Sequence, residues 1–134
     1  MILVDSSVWI DAIRGKQEPQ CETLAELLAR GEVVCLNSLI LTEVLRGSHS
    51  DDELNHVARQ LRRLPFLELD APHDHIQASR LYRSARASGV TVSGVADLLI
   101  AATCIEFEAT LLHNDRDFDN LATVSDLKVW RPAG

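Results

Sequence analysis

Short apolar runs alternate along this chain with longer stretches whose apolar residues recur at helical spacing. The short runs are uninterrupted and lie between turn residues, so they predict buried strands at residues 2–4, 33–36, 66–69, 109–112 and 127–130. The helical patterns cover residues 8–13, 22–30, 39–45, 51–64, 74–88 and 94–105. Strands that alternate with helices indicate an α/β fold with a mainly parallel central sheet flanked by helices.

The size and composition of the chain favour one globular domain over residues 1–134. Its 134 residues can bury a core, and 46% of them are hydrophobic and 25% charged. No apolar run approaches the ~18 residues that span a membrane, and no basic segment precedes the first run, so we expect a cytoplasmic protein. The three cysteines are widely spaced and form no Cys-x-x-Cys motif, which indicates reduced, buried thiols.

Acidic residues lie at the ends of several apolar runs. Asp5 follows the first strand, Asp115 follows the run at residues 109–112, and Glu43 and Asp97 lie in apolar helical segments. An unpaired charge beside a core costs several kcal/mol, so these carboxylates need a partner. The loops at the carboxyl ends of parallel strands meet at one edge of a sheet, where ligands bind. We therefore expect these four side chains to converge around a metal ion.

The expected ion is a hard divalent cation, because the donors are carboxylate oxygens without a histidine or cysteine cluster. Mg²⁺ and Mn²⁺ prefer such ligands and bind substrate phosphates as well. Two such ions ~4 Å apart activate water and stabilise the leaving oxygen when a phosphodiester is hydrolysed. The net charge of −7 argues against a nucleic-acid coat protein. It is compatible with a nuclease, because cations bound in an acidic pocket attract phosphate.

Four segments of the chain resemble the ordered motifs of the PIN domain family. They are Met1-Ile-Leu-Val-Asp-Ser-Ser-Val-Trp-Ile-Asp11, Leu41-Thr-Glu-Val-Leu-Arg-Gly47, Val95-Ala-Asp-Leu-Leu-Ile-Ala-Ala102 and Leu112-His-Asn-Asp-Arg-Asp-Phe118. The likeness runs from residue 1 to about residue 130 in the order and spacing of the family. It is strongest with the VapC toxins of bacterial toxin–antitoxin pairs and implies a three-layer PIN-like fold.

The resemblance also implies a function and a set of site residues. VapC-like proteins are Mg²⁺-dependent endoribonucleases that form homodimers and are held inactive by a VapB antitoxin. By position, Asp5, Glu43, Asp97 and Asp115 match the family's acidic cluster, with Asp5 and Asp97 as the expected direct metal ligands. Asp117 replaces or assists Asp115, so the fourth ligand stays open between these two, as does the choice of one or two ions.

Two places depart from the family pattern. His113 stands where the family often has Thr, so we expect altered hydrogen bonding or metal–water contacts there. Residues 105–108 replace a region that often carries Gly, and neither change removes an acidic ligand. Arg116, between the two alternative fourth ligands, is the candidate for a phosphate contact.

The remaining polar residues are interpreted as structural. His73 and His75 are expected to face solvent, without forming a zinc site. Hydroxyl and amide side chains are expected to cap three helices, and these caps are Ser6 or Ser7, Asn37 or Ser38, and Ser93. Other acids are interpreted as surface charges, namely Asp11, Asp74, Glu106, Glu108, Asp119 and Asp126.

Three other classes of protein share part of this pattern. A haloacid-dehalogenase-type phosphatase needs a second Asp two residues after Asp5, where this chain has Ser7. A receiver domain needs a Lys after a late strand, and none lies between Asp97 and Asp126. The alternative that stays open is a catalytically inactive PIN-like module that binds RNA or protein, which predicts the loss of a metal carboxylate.

Overall fold

In the computed structural model, which describes residues 1–131, the centre of the protein is a sheet of four parallel strands. Numbered along the chain, these are β1 (Ile2–Val4), β2 (Val34–Cys35), β3 (Thr110–Leu112) and β4 (Lys128–Val129). Their order in the sheet is β2-β1-β3-β4, and every neighbouring pair is parallel. The predicted α/β class with a parallel central sheet is confirmed, and β1 and β3 lie side by side at its centre.

Seven helices within residues 1–131 flank this sheet. They are α1 (Ser6–Ile13), α2 (Pro19–Ala29), α3 (Ser38–Leu45), α4 (Asp51–Leu61), α5 (His73–Ala87), α6 (Val95–Phe107) and α7 (Arg116–Ala122). α1 packs against α2 and α3, α3 packs against α4, and α5 packs along α6. Each is too short or too polar to cross a membrane.

The apolar runs of the sequence form the core. Leu3 and Val4 of β1 and Leu111 of β3 are completely buried, and Ile100 of α6 packs in the same core. Burial of a side chain of this size stabilises a fold by about 1.5–3 kcal/mol. This packing fixes the strand ends, and therefore the residues that follow them.

The predicted strand at residues 66–69 is wrong. This segment pairs with the sheet only through one parallel bridge between Leu36 and Phe66. Leu36 donates its N–H to the Pro65 carbonyl at 2.9 Å and accepts the N–H of Leu67 at 2.7 Å. Pairing does not extend further because α3 begins at Ser38, directly after its capping residue Asn37.

Only one of the three predicted helix caps is confirmed. The Asn37 side chain accepts the N–H of Ile40 at 2.9 Å and so caps α3. Ser6 and Ser7 lie inside α1, whose N-cap position is Asp5, and Gly94 rather than Ser93 is at the N-cap position of α6. The Asp5 side chain makes no cap hydrogen bond, and Gly94 has no side chain that could make one.

The helix α7 is absent from the predicted pattern. Its residues are rich in Asp and Asn, and such a composition is typical of turns. The helix forms because Asp115 caps it by accepting the N–H of Asp117 at 2.9 Å, while Phe118 and Leu121 are buried one turn apart. The buried pair at this spacing was the sequence signal for a helix.

Asp74 is buried, so its interpretation as a surface charge is wrong. Its side chain accepts the N–H of Asp70 at 2.6 Å, and its residue is only 1% exposed. Burial acts to raise the pKa of Asp74, but hydrogen bonds from the Glu106 carboxyl and from the Asp70 N–H hold it below its ordinary value. Asp74 therefore ties the start of α5 to the turn before it.

Asp74→Ala is expected to lower the free energy of unfolding by about 1–3 kcal/mol, because the N–H of Asp70 loses its acceptor. Asp74→Asn keeps a side-chain oxygen at this position and is the matched control, with a smaller loss. Urea unfolding measures both variants. Equal stabilities of Asp74→Ala and the wild type would contradict this role.

The three cysteines are free and buried, as predicted. Burial raises the pKa of the Cys104 thiol to about 12. It also raises the pKa of Cys35. A thiol reacts as its thiolate, so Cys35 and Cys104 are inert packing residues.

Candidate metal centre

The central strands bring two of the predicted acidic residues to one edge of the sheet. Val4 is paired with Leu112 in the parallel register of β1 and β3. Directly beyond this pair, Asp5 donates its backbone N–H to the Leu112 carbonyl at 2.9 Å. Asp5 thus lies beside the segment that leads from β3 to Asp115.

Three carboxylates meet at this edge. Asp97 comes from the first turn of α6, Asp115 from the N-cap of α7, and Asp117 from its first turn. Each contributes one oxygen, and the three oxygens lie within 4.8 Å of one another. One oxygen of Asp115 already accepts the N–H of Asp117. The alternative fourth ligands, Asp115 and Asp117, therefore both belong to the cluster.

Asp5 is the most deeply buried member of the acidic group. Its residue is 5% exposed, and burial raises its pKa. The Ser7 hydroxyl donates a hydrogen bond to Asp5 Oδ2 at 3.0 Å and opposes part of this shift. Ser7 therefore orients the Asp5 carboxylate, which is a different role from the helix cap that was predicted.

Glu43 reaches the site from α3. Its Oε1 atom is buried and has no hydrogen-bond partner among residues 1–131. Burial raises the pKa of Glu43, and the nearby charge of Asp5 raises it further. A buried oxygen without a donor is costly, and a bound cation offsets that cost.

The strongest electrostatic effect falls on Asp97. Burial and the neighbouring carboxylates raise its pKa to about 6. In decreasing order of effect, those neighbours are Asp5, Asp115, Glu43 and Asp117. Asp5 and Glu43 therefore act on Asp97 through their charges, although the three oxygens within 4.8 Å of one another belong to Asp97, Asp115 and Asp117.

Gly94 leaves space next to Asp97. A Cβ atom at this position would lie 3.2 Å from Asp97 Oδ2, which is closer than nearly all such contacts. The absence of a side chain keeps one face of the Asp97 carboxylate open where α6 begins. Sequence reasoning missed this role of Gly94, since a Gly before an apolar helix is also common as a simple N-cap.

The donor set of this cluster fits a hard divalent cation. It offers only carboxylate oxygens. Beyond the effect of burial, the charge of Asp5 raises the pKa of Glu43, and four neighbouring carboxylates raise the pKa of Asp97, so these groups repel one another in the absence of a cation. Arg116, the candidate phosphate contact, is exposed at the first position of α7 and forms no ion pair within residues 1–131. The arrangement combines a site for cations with a free positive charge at its rim.

A second group of possible ligands lies at the other end of α6. His73, Asp74 and Glu106 each offer an atom within 4.8 Å of the others. Here a hydrogen bond joins the carboxyl groups of Asp74 and Glu106, and it raises the pKa of Glu106. In the first cluster, by contrast, the neighbouring carboxylates act on Asp97 through their charges and not through a hydrogen bond. His73 is exposed, as predicted.

Comparison with known proteins identifies the family. The sequence model of the PIN domain family matches residues 2–124. A VapC ribonuclease of Mycobacterium bovis is 33% identical over 130 residues, which cover 96% of this chain and 97% of that protein. Ribonuclease VapC11 of Mycobacterium tuberculosis is similar to the same extent, with 33% identity, 96% of this chain and 97% of the relative. The chain belongs to the PIN domain family.

The fold is also found among solved structures. One chain matches with a TM-score of 0.75. It belongs to the crystal structure of VapBC2 from Rickettsia felis bound to a DNA fragment from the promoter of these proteins. The two chains are 24% identical, and the match covers 97% of this chain and 98% of the other. This likeness confirms the predicted PIN-like architecture.

Proposed function

We propose that this protein is a metal-dependent endoribonuclease that hydrolyses phosphodiester bonds in RNA with Mg²⁺ or Mn²⁺. The observation that carries the proposal is the cluster of Asp97, Asp115 and Asp117, whose oxygens lie within 4.8 Å of one another, together with the pKa of Asp97, which burial and four neighbouring carboxylates raise to about 6. Such a cluster is unfavourable without a cation and favourable with one. The ribonuclease names of the relatives at 33% identity support RNA as the substrate.

The carboxylates have different proposed roles in binding the cation. Asp5 and Asp97 are proposed as direct ligands, because Asp5 is held between the end of β1 and the start of α1 and Asp97 is held in the first turn of α6. Glu43 acts directly or through a water molecule, and Asp115 and Asp117 supply the remaining oxygens. Bound cations of this type polarise the scissile phosphate and lower the pKa of a coordinated water.

The surrounding residues orient the carboxylates and the substrate. Ser7 fixes Asp5 through its hydroxyl at 3.0 Å. Arg116 is proposed to contact a phosphate of the RNA, because it is exposed and lies in the chain between Asp115 and Asp117. In-line attack on a phosphate held in this way requires no covalent intermediate with the protein.

The proposal extends to the protein's partners and setting. Residues 1–134 form one PIN-like domain, a homodimer is the functional unit, and the protein acts in the cytoplasm as the toxin of a VapBC pair. Relatives named VapC and the fold shared with a VapBC2 structure support the assignment to such a pair. A VapB-type antitoxin would inhibit the protein by placing a basic side chain into the acidic cluster or by covering the groove.

The inactive PIN-like module receives no support from the site. That alternative predicts the loss of at least one metal carboxylate, and this chain retains Asp5, Glu43, Asp97, Asp115 and Asp117. No further observation favours a function in binding alone.

Cleavage of RNA by the purified protein tests the proposal. We expect cuts in a structured RNA with Mg²⁺ or Mn²⁺, no cuts with excess EDTA, and recovery when the metal is restored. A DNA strand of the same sequence is the matched substrate control and should stay intact. Cleavage that continues in EDTA would contradict the metal dependence, and binding without cleavage would support the inactive module.

A further inference from the structure

His113 lies between the core and the acidic cluster. It directly follows β3, and its side chain is only 6% exposed. Its ring packs at 59° against Phe118, with ring centroids 5.2 Å apart, and Phe118 is buried in the core. The imidazole therefore has a fixed position two residues before Asp115.

Both ring nitrogens of His113 are engaged. Nδ1 accepts the backbone N–H of Asp115 at 3.0 Å, and Nε2 lies 3.2 Å from Asp119 Oδ1. Because a nitrogen that accepts an N–H carries no proton, the ring proton is on Nε2 and is donated to Asp119. Arg131 donates to the same Asp119 oxygen at 3.2 Å.

These bonds hold the segment that carries two acids of the cluster. The ring fixes the backbone of Asp115 from one side, while the Asp115 side chain caps α7 by accepting the N–H of Asp117. The other end of the ring is anchored on α7 itself through Asp119. A change at Nδ1 therefore acts on the N-cap of α7, and a change at Nε2 acts on the helix itself.

We propose that His113 is a positioning residue, which sets Asp115 and Asp117 for cation binding through the hydrogen bond from the Asp115 N–H to Nδ1. This inference rests on the proposed metal centre. Residues that orient metal ligands without touching the metal change its affinity by about 10–100-fold when they are replaced. The polar contact at Nδ1 carries the effect, whereas the packing of the ring and the contact at Nε2 support the fold.

Two substitutions separate these contributions. In His113→Asn, the side-chain oxygen takes the place of Nδ1 and can still accept the N–H of Asp115. In His113→Gln, the amide nitrogen takes the place of Nε2 and can still donate to Asp119, but the acceptor for Asp115 is lost. His56→Gln, at an exposed position of α4, is the control for the same chemical change elsewhere.

Titration with Mn²⁺ in the absence of RNA tests the proposal by calorimetry. We expect His113→Gln to weaken Mn²⁺ binding about tenfold or more, and His113→Asn and His56→Gln to stay within about threefold of the wild type. The melting temperature of each metal-free variant is measured alongside. Equal affinities of His113→Asn and His113→Gln, or losses that follow melting temperature alone, would overturn the proposal.

A measurement on the metal-free wild type keeps the test independent of folding in the variants. Nitrogen-15 NMR of the histidine rings should show His113 protonated on Nε2, and the Asp115 amide should exchange slowly with solvent. A proton on Nδ1 would overturn the proposal.

If the wild type bound no Mn²⁺, the metal centre itself would be wrong. If it bound Mn²⁺ and cut RNA while the two variants were equal, only the role of His113 would be wrong.

Discussion

Asp97→Asn is expected to reduce metal-dependent RNA cleavage by about a thousandfold or more while leaving the protein folded. Asn has nearly the same shape as Asp but lacks the charge that holds a cation. Burial and four neighbouring carboxylates raise the pKa of Asp97, so removing its charge also relieves desolvation and repulsion in the metal-free protein. We therefore expect its melting temperature without metal to equal or exceed that of the wild type.

The combination of lost activity with retained stability separates a site residue from a structural one. Cleavage rates at saturating Mg²⁺ and thermal unfolding without metal measure the two properties. Glu68→Gln, which removes an exposed acid remote from the cluster in sequence, is the matched control and should change neither. If Asp97→Asn cut RNA at the wild-type rate at ordinary Mg²⁺ concentrations, the assignment of the site would be wrong.

The affinity for Mn²⁺ is expected to fall about tenfold for each pH unit below the pKa of Asp97 and to level off above pH ~7. The physical reason is competition, because the cation requires the ionised carboxylate, and the pKa of Asp97 is raised to about 6. The raised pKa values of Asp5 and Glu43 act in the same direction. Calorimetric titrations between pH 5 and pH 8 measure this dependence.

The stability of the metal-free protein should depend on pH in the opposite sense. A carboxyl whose pKa is raised by folding stabilises the fold while it is protonated, and this contribution disappears as the pH rises through the folded pKa. For Asp97 that range extends from its ordinary 3.8 to about 6. Without metal, the contribution of Asp97 therefore decreases between pH 4 and pH 7, whereas stabilisation by Mn²⁺ increases.

Comparison with Asp97→Asn isolates this effect from the titration of other groups. The difference in melting temperature between wild type and variant, both without metal, should favour the variant more at pH 7 than at pH 5. A constant difference across this range would contradict the raised pKa of Asp97. A Mn²⁺ affinity independent of pH would contradict competition between protons and the cation.

The position of the site could be predicted because it depends on strand ends. Asp5 directly follows β1 and Asp115 follows β3 by three residues, and parallel strands place such residues at one edge. The apolar surroundings of Asp97 marked its charge as costly from sequence alone. These arguments need only local patterns and the direction of the strands, and both are visible in a sequence.

Other features depend on contacts between distant segments, which no local pattern contains. The segment at residues 66–69 has the composition of a strand, but it forms only one bridge, to Leu36, because α3 begins two residues after Leu36. Asp74 is buried because α5 packs on α6, which brings Glu106 to it. The unpartnered oxygen of Glu43 likewise results from tertiary packing. Ser7 was predicted as a cap because a hydroxyl at a helix start usually is one.

Anomalous diffraction from crystals soaked in Mn²⁺ tests the metal centre most directly. We predict a manganese peak at the edge of β1 and β3, with oxygens of Asp5 and Asp97 at about 2.0–2.2 Å and with Asp115 or Asp117 in the same coordination sphere. The group of His73, Asp74 and Glu106 serves as an internal comparison within the same crystal. A peak only at this second group, or no peak beside Asp97, would contradict the proposed centre.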